Sequence, residues 1–287
     1  MRVSSQGNVP HPLPMRNRPL LPGGRHRNPL STERSSDAPV LVLAGPGPAA
    51  EGHPADAIAH LVRADNPDIS VDLGYSAGAA TALADALARV ASADAGPRRG
   101  AVVVPLTLAP VPAVERDIRA ALERSGLPGT VTAPLGPHPS LAEALHQRLA
   151  EAGQARPDRM RMLSVITAAD GVVLAVPGGA EAVPPAGVVA VLLAARLGVH
   201  VVPAAMDDPG AVRSAAEQLR GSGATRLALA PYAVGPETHL AGLPELARGI
   251  GATAAEPLGG HPTLARIATM RYVEAVNAME APPAPGS

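Results

Sequence analysis

The sequence predicts an α/β protein built from two tandem, duplicated, doubly wound units. Each unit carries a four-stranded parallel sheet, and the two face each other across a cleft. Three observations point there. Short apolar runs alternate with helix-period stretches from Val40 onward, the order that builds parallel sheets covered by helices. The string PLGPHPSLA at 134–142 returns as PLGGHPTLA at 257–265, the mark of an internal repeat. Hydrophobic residues reach 46% while aromatics are 1%, with no Phe and no Trp. Such a core must be made of Val, Leu, Ile and Ala, as in buried parallel strands under Ala-rich helices.

Residues 1–38 are rich in Pro, Arg, Ser and Asn and lack periodicity, so they read as a disordered tail, with Met15 a candidate start. The first repeat spans 39–152. Val40–Ala44 is a buried strand ended by Gly45-Pro46-Gly47-Pro48, and residues 51–65 follow as a helix. Strand 69–73, helix 80–92, strand 101–106 and helix 112–125 come next, the last closed by Gly126. A short strand at 130–132 leads into the repeated motif and helix 140–152. In each copy of the motif Pro suits a helix start, and Ser140 and Thr263 are candidate caps.

Residues 153–162 read as the linker, 163–280 as the second repeat and 281–287 as a second tail. The second repeat has strands at 172–176, 199–203, 227–232 and 252–255. Its helices fall at 186–197, 209–220, 238–248 and 263–278. Ligands of such folds sit at the carboxyl ends of the strands.

Composition removes several chemistries. There is no Cys, so thiolate metal sites and Cys nucleophiles are excluded, and all 24 basic residues are Arg, so no Lys can form a Schiff base. A net charge of −1 and the lack of aromatics leave no case for a nucleic-acid partner. No apolar run is read as reaching the ~18 residues of a membrane span, so the expected compartment is the cytoplasm. Gly45-Pro46-Gly47-Pro48-Ala49-Ala50 fits a loose phosphate-loop pattern, but its two prolines remove amides that such a loop needs. It reads as a rigid turn.

His138 and His261 recur with the motif and read as helix-entry residues. His239 differs, because it follows the third strand of the second repeat with Glu237 two residues before it, and Asp208 follows the second strand. An imidazole with one or two carboxylates at strand ends can bind a divalent metal or move protons. Exposed loop residues are the alternative reading of this trio.

Several strings resemble the sirohydrochlorin chelatase family in its long two-repeat form, CbiX. They are Val71-Asp72-Leu73-Gly74-Tyr75, Leu83–Leu87, Val102–Leu106, Arg116-Asp117-Ile118, the two PLG-x-HP motifs and Ala194–Gly198. The resemblance runs from about Val40 to Met279. It implies insertion of Fe²⁺ or Co²⁺, as substrate, into a carboxylate-rich tetrapyrrole, with no tightly bound cofactor. That chemistry needs a His to hold the incoming metal and a His or carboxylate to take pyrrole protons. In the first repeat the three family positions fall on Ala44, Ala80 and Ala113, and a methyl group does neither task. In the second repeat the register gives Val176-Pro177-Gly178, Asp208 and His239, so His239 is the expected catalytic group and His239, Asp208 and Glu237 the expected metal contacts. Arg98, Arg99, Arg116 and Arg119 could pair with substrate carboxylates or simply serve solubility. Two functions stay open: a chelatase-like lyase with a second-repeat site, and a non-catalytic homologue that binds a tetrapyrrole, a metal or a protein. A plain structural scaffold is the third.

Overall fold

The structure is a computed structural model that describes residues 38–76, 81–92, 100–156, 168–235 and 238–280, with the side chains of 81, 82, 238 and 239 outside that set. The expected tails, Ala80, Arg98, Arg99, Glu237 and most of the linker therefore lie outside the described residues.

The first repeat runs β1 (Val40–Gly45), α1 (Pro54–Asp65), β2 (Val71–Tyr75), α2 (Thr81–Ser92), β3 (Ala101–Pro105), α3 (Pro112–Ser125), β4 (Gly129–Val131) and α4 (Ser140–Glu151). The second runs β5 (Gly171–Val176), a 3₁₀ turn (Ala180–Ala182), α5 (Val183–Leu197), β6 (His200–Ala205), α6 (Pro209–Gly221) and β7 (Leu227–Pro231). A 3₁₀ turn (Thr238–Gly242), α7 (Leu243–Gly249), β8 (Ala252–Ala254) and α8 (Pro262–Glu280) complete it. Each sheet is four-stranded and all its pairings are parallel, in the orders β2-β1-β3-β4 and β6-β5-β7-β8. The doubly wound, duplicated fold class holds. The strands β3, β5 and β7 are buried along their whole length and β1 in all but its first residue, which is why they read as unbroken Val, Leu and Ala runs.

Proline accounts for the shifted helix boundaries. Helix α1 begins at Pro54 rather than at 51, and α5 takes Pro184 and Pro185 into its first turn and so begins before 186. The helix expected at 238–248 is a 3₁₀ turn followed by a new helix with Pro244 in its first turn, because proline cannot donate the amide that would have joined them.

Helices α4 and α8 change places. Helix α4, which closes the first repeat in chain order, packs on α5 and β7, while α8 packs on α1 and β3. Leu41, Leu43 and Ile58 of the first repeat therefore share one core cluster with Val172 and Leu174 of the second and with Tyr272 of α8. Smaller clusters lie on the outer faces, around Val42, Leu87 and Ile118 in one repeat and Val173, Val212 and Leu229 in the other.

The repeated motif is where the exchange is fastened. From α4, Arg148 donates to the Leu258 carbonyl through Nε (3.2 Å) and a terminal nitrogen (2.6 Å). From α8, Arg271 donates through Nε to the Pro134 carbonyl at 3.2 Å. Arg148 and Arg271 occupy equivalent positions of the two repeats, so each motif is held by the arginine of the other repeat's last helix. Gly136 in the first motif leaves no space for a side chain: a methyl group there would overlap the Tyr232 hydroxyl and the Leu108 carbonyl.

Candidate functional site

At the carboxyl end of the first sheet, Ala44 is 1% exposed and belongs to the outer cluster with Val42, Leu83 and Val103. Ala113 stands exposed in the first turn of α3. The space after β1 is occupied by a residue that sequence reasoning passed over. His53 caps α1 and is 2% exposed. Its Nδ1 accepts from the Ala55 amide at 3.0 Å, and its Nε2 lies 2.8 Å from the Pro46 carbonyl. A carbonyl only accepts and an amide only donates, so these two contacts assign the neutral tautomer with the proton on Nε2. The ring packs edge-on against Tyr75, with centroids 4.8 Å apart. The Tyr75 hydroxyl donates to Asp56 at 2.9 Å, and burial together with that carboxylate pushes the phenol up to about 12. This His–Tyr–Asp set ties the Gly45–Pro48 turn to α1, with both imidazole nitrogens engaged by backbone. A signal for it existed in the His-Pro step at 53–54, the same step as at 138–139 and 261–262, but the second repeat reads Pro184-Pro185 there and so carries no echo.

In the second repeat, Asp208 is exposed and caps α6, its Oδ1 accepting from the Gly210 amide at 2.8 Å. It borders a cleft of about 500 Å³ together with Asp207, Ser214 and Gln218, between α6 and the stretch after β5. His239 lies in the 3₁₀ turn after β7; its side chain and the whole of Glu237 are outside the described residues. The two loops leave strands on opposite sides of β5, at the same carboxyl end of the sheet. Among the described residues no three of His, Asp and Glu gather as a metal site.

The motif histidines cap helices, as the sequence reading has it. His138 Nδ1 accepts from the Ser140 amide and His261 Nδ1 from the Thr263 amide, both at 3.2 Å. It is the histidine rather than Ser140 or Thr263 that takes the capping amide. Burial, followed by the charge of Arg271, holds His138 below the usual histidine range, and burial followed by Arg148 does the same to His261. Each imidazole thus faces an Arg–Glu pair on the other repeat's helix, Arg271–Glu274 at 3.2 Å or Arg148–Glu151 at 2.6 Å.

These features define a duplicated, doubly wound α/β protein. Residues 40–152, the first repeat, match the family model CbiX, that of the sirohydrochlorin chelatase family. No curated protein matches the chain. Among solved structures it is similar to a probable maltose operon transcriptional repressor from Staphylococcus aureus, at 9% identity and a TM-score of 0.37, covering 86% of this chain and 92% of that one. A conserved domain protein from Vibrio cholerae gives 15% identity and a TM-score of 0.35, covering 86% of each chain. An ABC domain in complex with L-Trp from Streptococcus pneumoniae gives 10% and 0.38, covering 85% of this chain and 86% of that one. At these scores the likenesses carry no argument.

Proposed function

We propose that this is a sirohydrochlorin chelatase-like protein of siroheme or cobalamin metabolism, which binds a carboxylate-rich tetrapyrrole or the Fe²⁺ or Co²⁺ destined for it. The observation that carries the reading is the CbiX match over 40–152, joined to a second sheet of the same strand order. Contacts to the metal fall to the second repeat, on His239, Asp208 and Glu237, where the loops after β6 and β7 open at the carboxyl end of the sheet. His239 is the group of this trio suited to hold a borderline divalent ion or take a pyrrole proton.

A second reading, a non-catalytic homologue, is favoured by a specific observation. The position at the end of β1 that the resemblance assigns to a metal-holding His is Ala44, buried in the core. The imidazole nearest to it in chain order, His53, has both nitrogens bound to backbone.

One experiment separates the two. Purified protein is mixed anaerobically with sirohydrochlorin and Co²⁺ or Fe²⁺ while the absorption spectrum is followed. Metallation faster than the protein-free control, lost in His239→Ala, supports the enzyme. A spectral shift on binding with no gain in rate supports the non-catalytic binder, and neither effect removes both readings.

A further inference from the structure

Helix α5 has an outward face that the fold does not require. Its exposed residues are Pro184, Val188, Val191, Leu192, Ala195 and Arg196, a stripe at helical spacing. Val191 is 69% exposed and Val188 55%. The opposite face, with Ala186, Val189, Ala190 and Leu193, is buried, packed on β6 and α4. The stretch Ala180–Leu197 is the one apolar enough and long enough to cross a membrane among the described residues, yet only 28% of it is buried. The duplication supplies an internal control. Helix α1 holds the equivalent place in the first repeat, and its exposed positions are Asp56, Ala57, His60, Arg63, Ala64 and Asp65. By the offset of the two first strands, Val191 stands where α1 has His60. One architecture thus tolerates a polar face there, so the apolar face of α5 serves something outside the repeat.

We propose that this face is a self-association surface, on which a second copy of the chain lays its own α5 antiparallel about a two-fold axis. The face is complementary to itself in the way such an interface needs. In the register that sets Val188 over Val191 of the other copy, Pro184 lies over Ala195, and Leu192 lies over Gly187. Gly187 has open space where a side chain would stand, which makes it a hole for the leucine knob. No charged residue interrupts Val183–Ala195. The flanking charges are opposite in sign: Glu181 precedes the helix and Arg196 sits in its last turn, where its Nε also donates to His146 at 3.1 Å. Antiparallel pairing brings each acidic end beside the basic end of the other copy and opposes the helix dipoles. A bilayer is the less suited occupant, because an interfacial helix carries several cations along its polar edges and α5 has only Arg196.

The test is sedimentation velocity on the full chain up to about 100 µM, where micromolar association is visible. The expected result is a species of twice the 28.8 kDa chain mass. Val191→Arg should return it to the monomer, while His60→Arg, the matching change on α1, should leave the dimer intact. Unchanged circular dichroism melting of both variants shows that the fold survives. A monomeric wild type over the whole range overturns the proposal, as does a Val191→Arg protein that still dimerises. Co-flotation of monomeric wild type with phosphatidylglycerol vesicles, lost in Val191→Arg, also overturns it in favour of a lipid surface. None of these outcomes depends on tetrapyrrole binding, so this proposal and the functional reading fail separately.

Discussion

His53, His138 and His261 each donate no proton from Nδ1; each uses that nitrogen to accept the amide two residues on. Proline follows each of them at the entry to the helix, so the imidazole does the work usually given to Asp or Ser. Protonation removes the acceptor. For His138 and His261 the folded value lies below the usual one, from burial first and then from a facing arginine. The unfolded chain therefore takes up protons more readily. The stabilisation from these caps is present above the unfolded value of about 6.5 and is lost as pH falls through the folded value. Denaturant unfolding at pH 7.5 and pH 5 should show that loss. The double variant His138→Asn, His261→Asn, which keeps a capping oxygen, should lose less. His53 is buried and bonded at both nitrogens, so His53→Ala leaves the Ala55 amide and Pro46 carbonyl unpaired. A destabilisation of roughly 2–4 kcal/mol is expected, read from the same unfolding curves.

At the scale of elements, all eight strands and most helices of the described residues are legible in the sequence, because the inner strands are buried on both faces and the helices carry clear period and caps. What could not be read is the exchange of α4 and α8, since nothing in their amphipathic pattern says which sheet an apolar face meets. The repeated motif announced the duplication, but its function as the fastening point needed Arg148 and Arg271, which lie beyond it and look like ordinary surface arginines. Asp208 shows how a candidate site reads two ways. An Asp before Pro-Gly at a strand end fits a metal contact, and it also fits the helix cap that it makes with Gly210; spacing alone does not separate the two. His53 escaped notice because the second repeat has no counterpart to make it recur. Since Arg148 makes two bonds to the Leu258 carbonyl and Arg271 one to that of Pro134, Arg148→Ala should cost more stability than Arg271→Ala. About 1–3 kcal/mol is expected for the former. The two losses should be close to additive, because each arginine serves a different motif.

At the scale of the whole molecule, the exchange decides how the protein unfolds. Two repeats joined by a linker would each own a core and could melt apart. Here the first sheet is covered on one side by α8, which arrives from the far end of the chain, and Tyr272 of that helix donates to the Pro39 carbonyl at 2.7 Å just before β1. The second sheet is covered by α4, whose Leu141, Leu145 and Leu149 are buried in the same cluster as Val172 and Leu174. Opening either repeat strips apolar surface from both, so partial unfolding gains little entropy for a large loss of burial. The described residues of both repeats accordingly fall within one compact unit. Scanning calorimetry should therefore show a single transition with equal calorimetric and van't Hoff enthalpies. A fragment ending at Arg156 should fail to fold as a monomer, because β3 and α1 lose their cover while the leucines of α4 lose their seat. Two resolved transitions, or a monomeric fragment with a cooperative melt, would show that the exchanged helices do not couple the repeats.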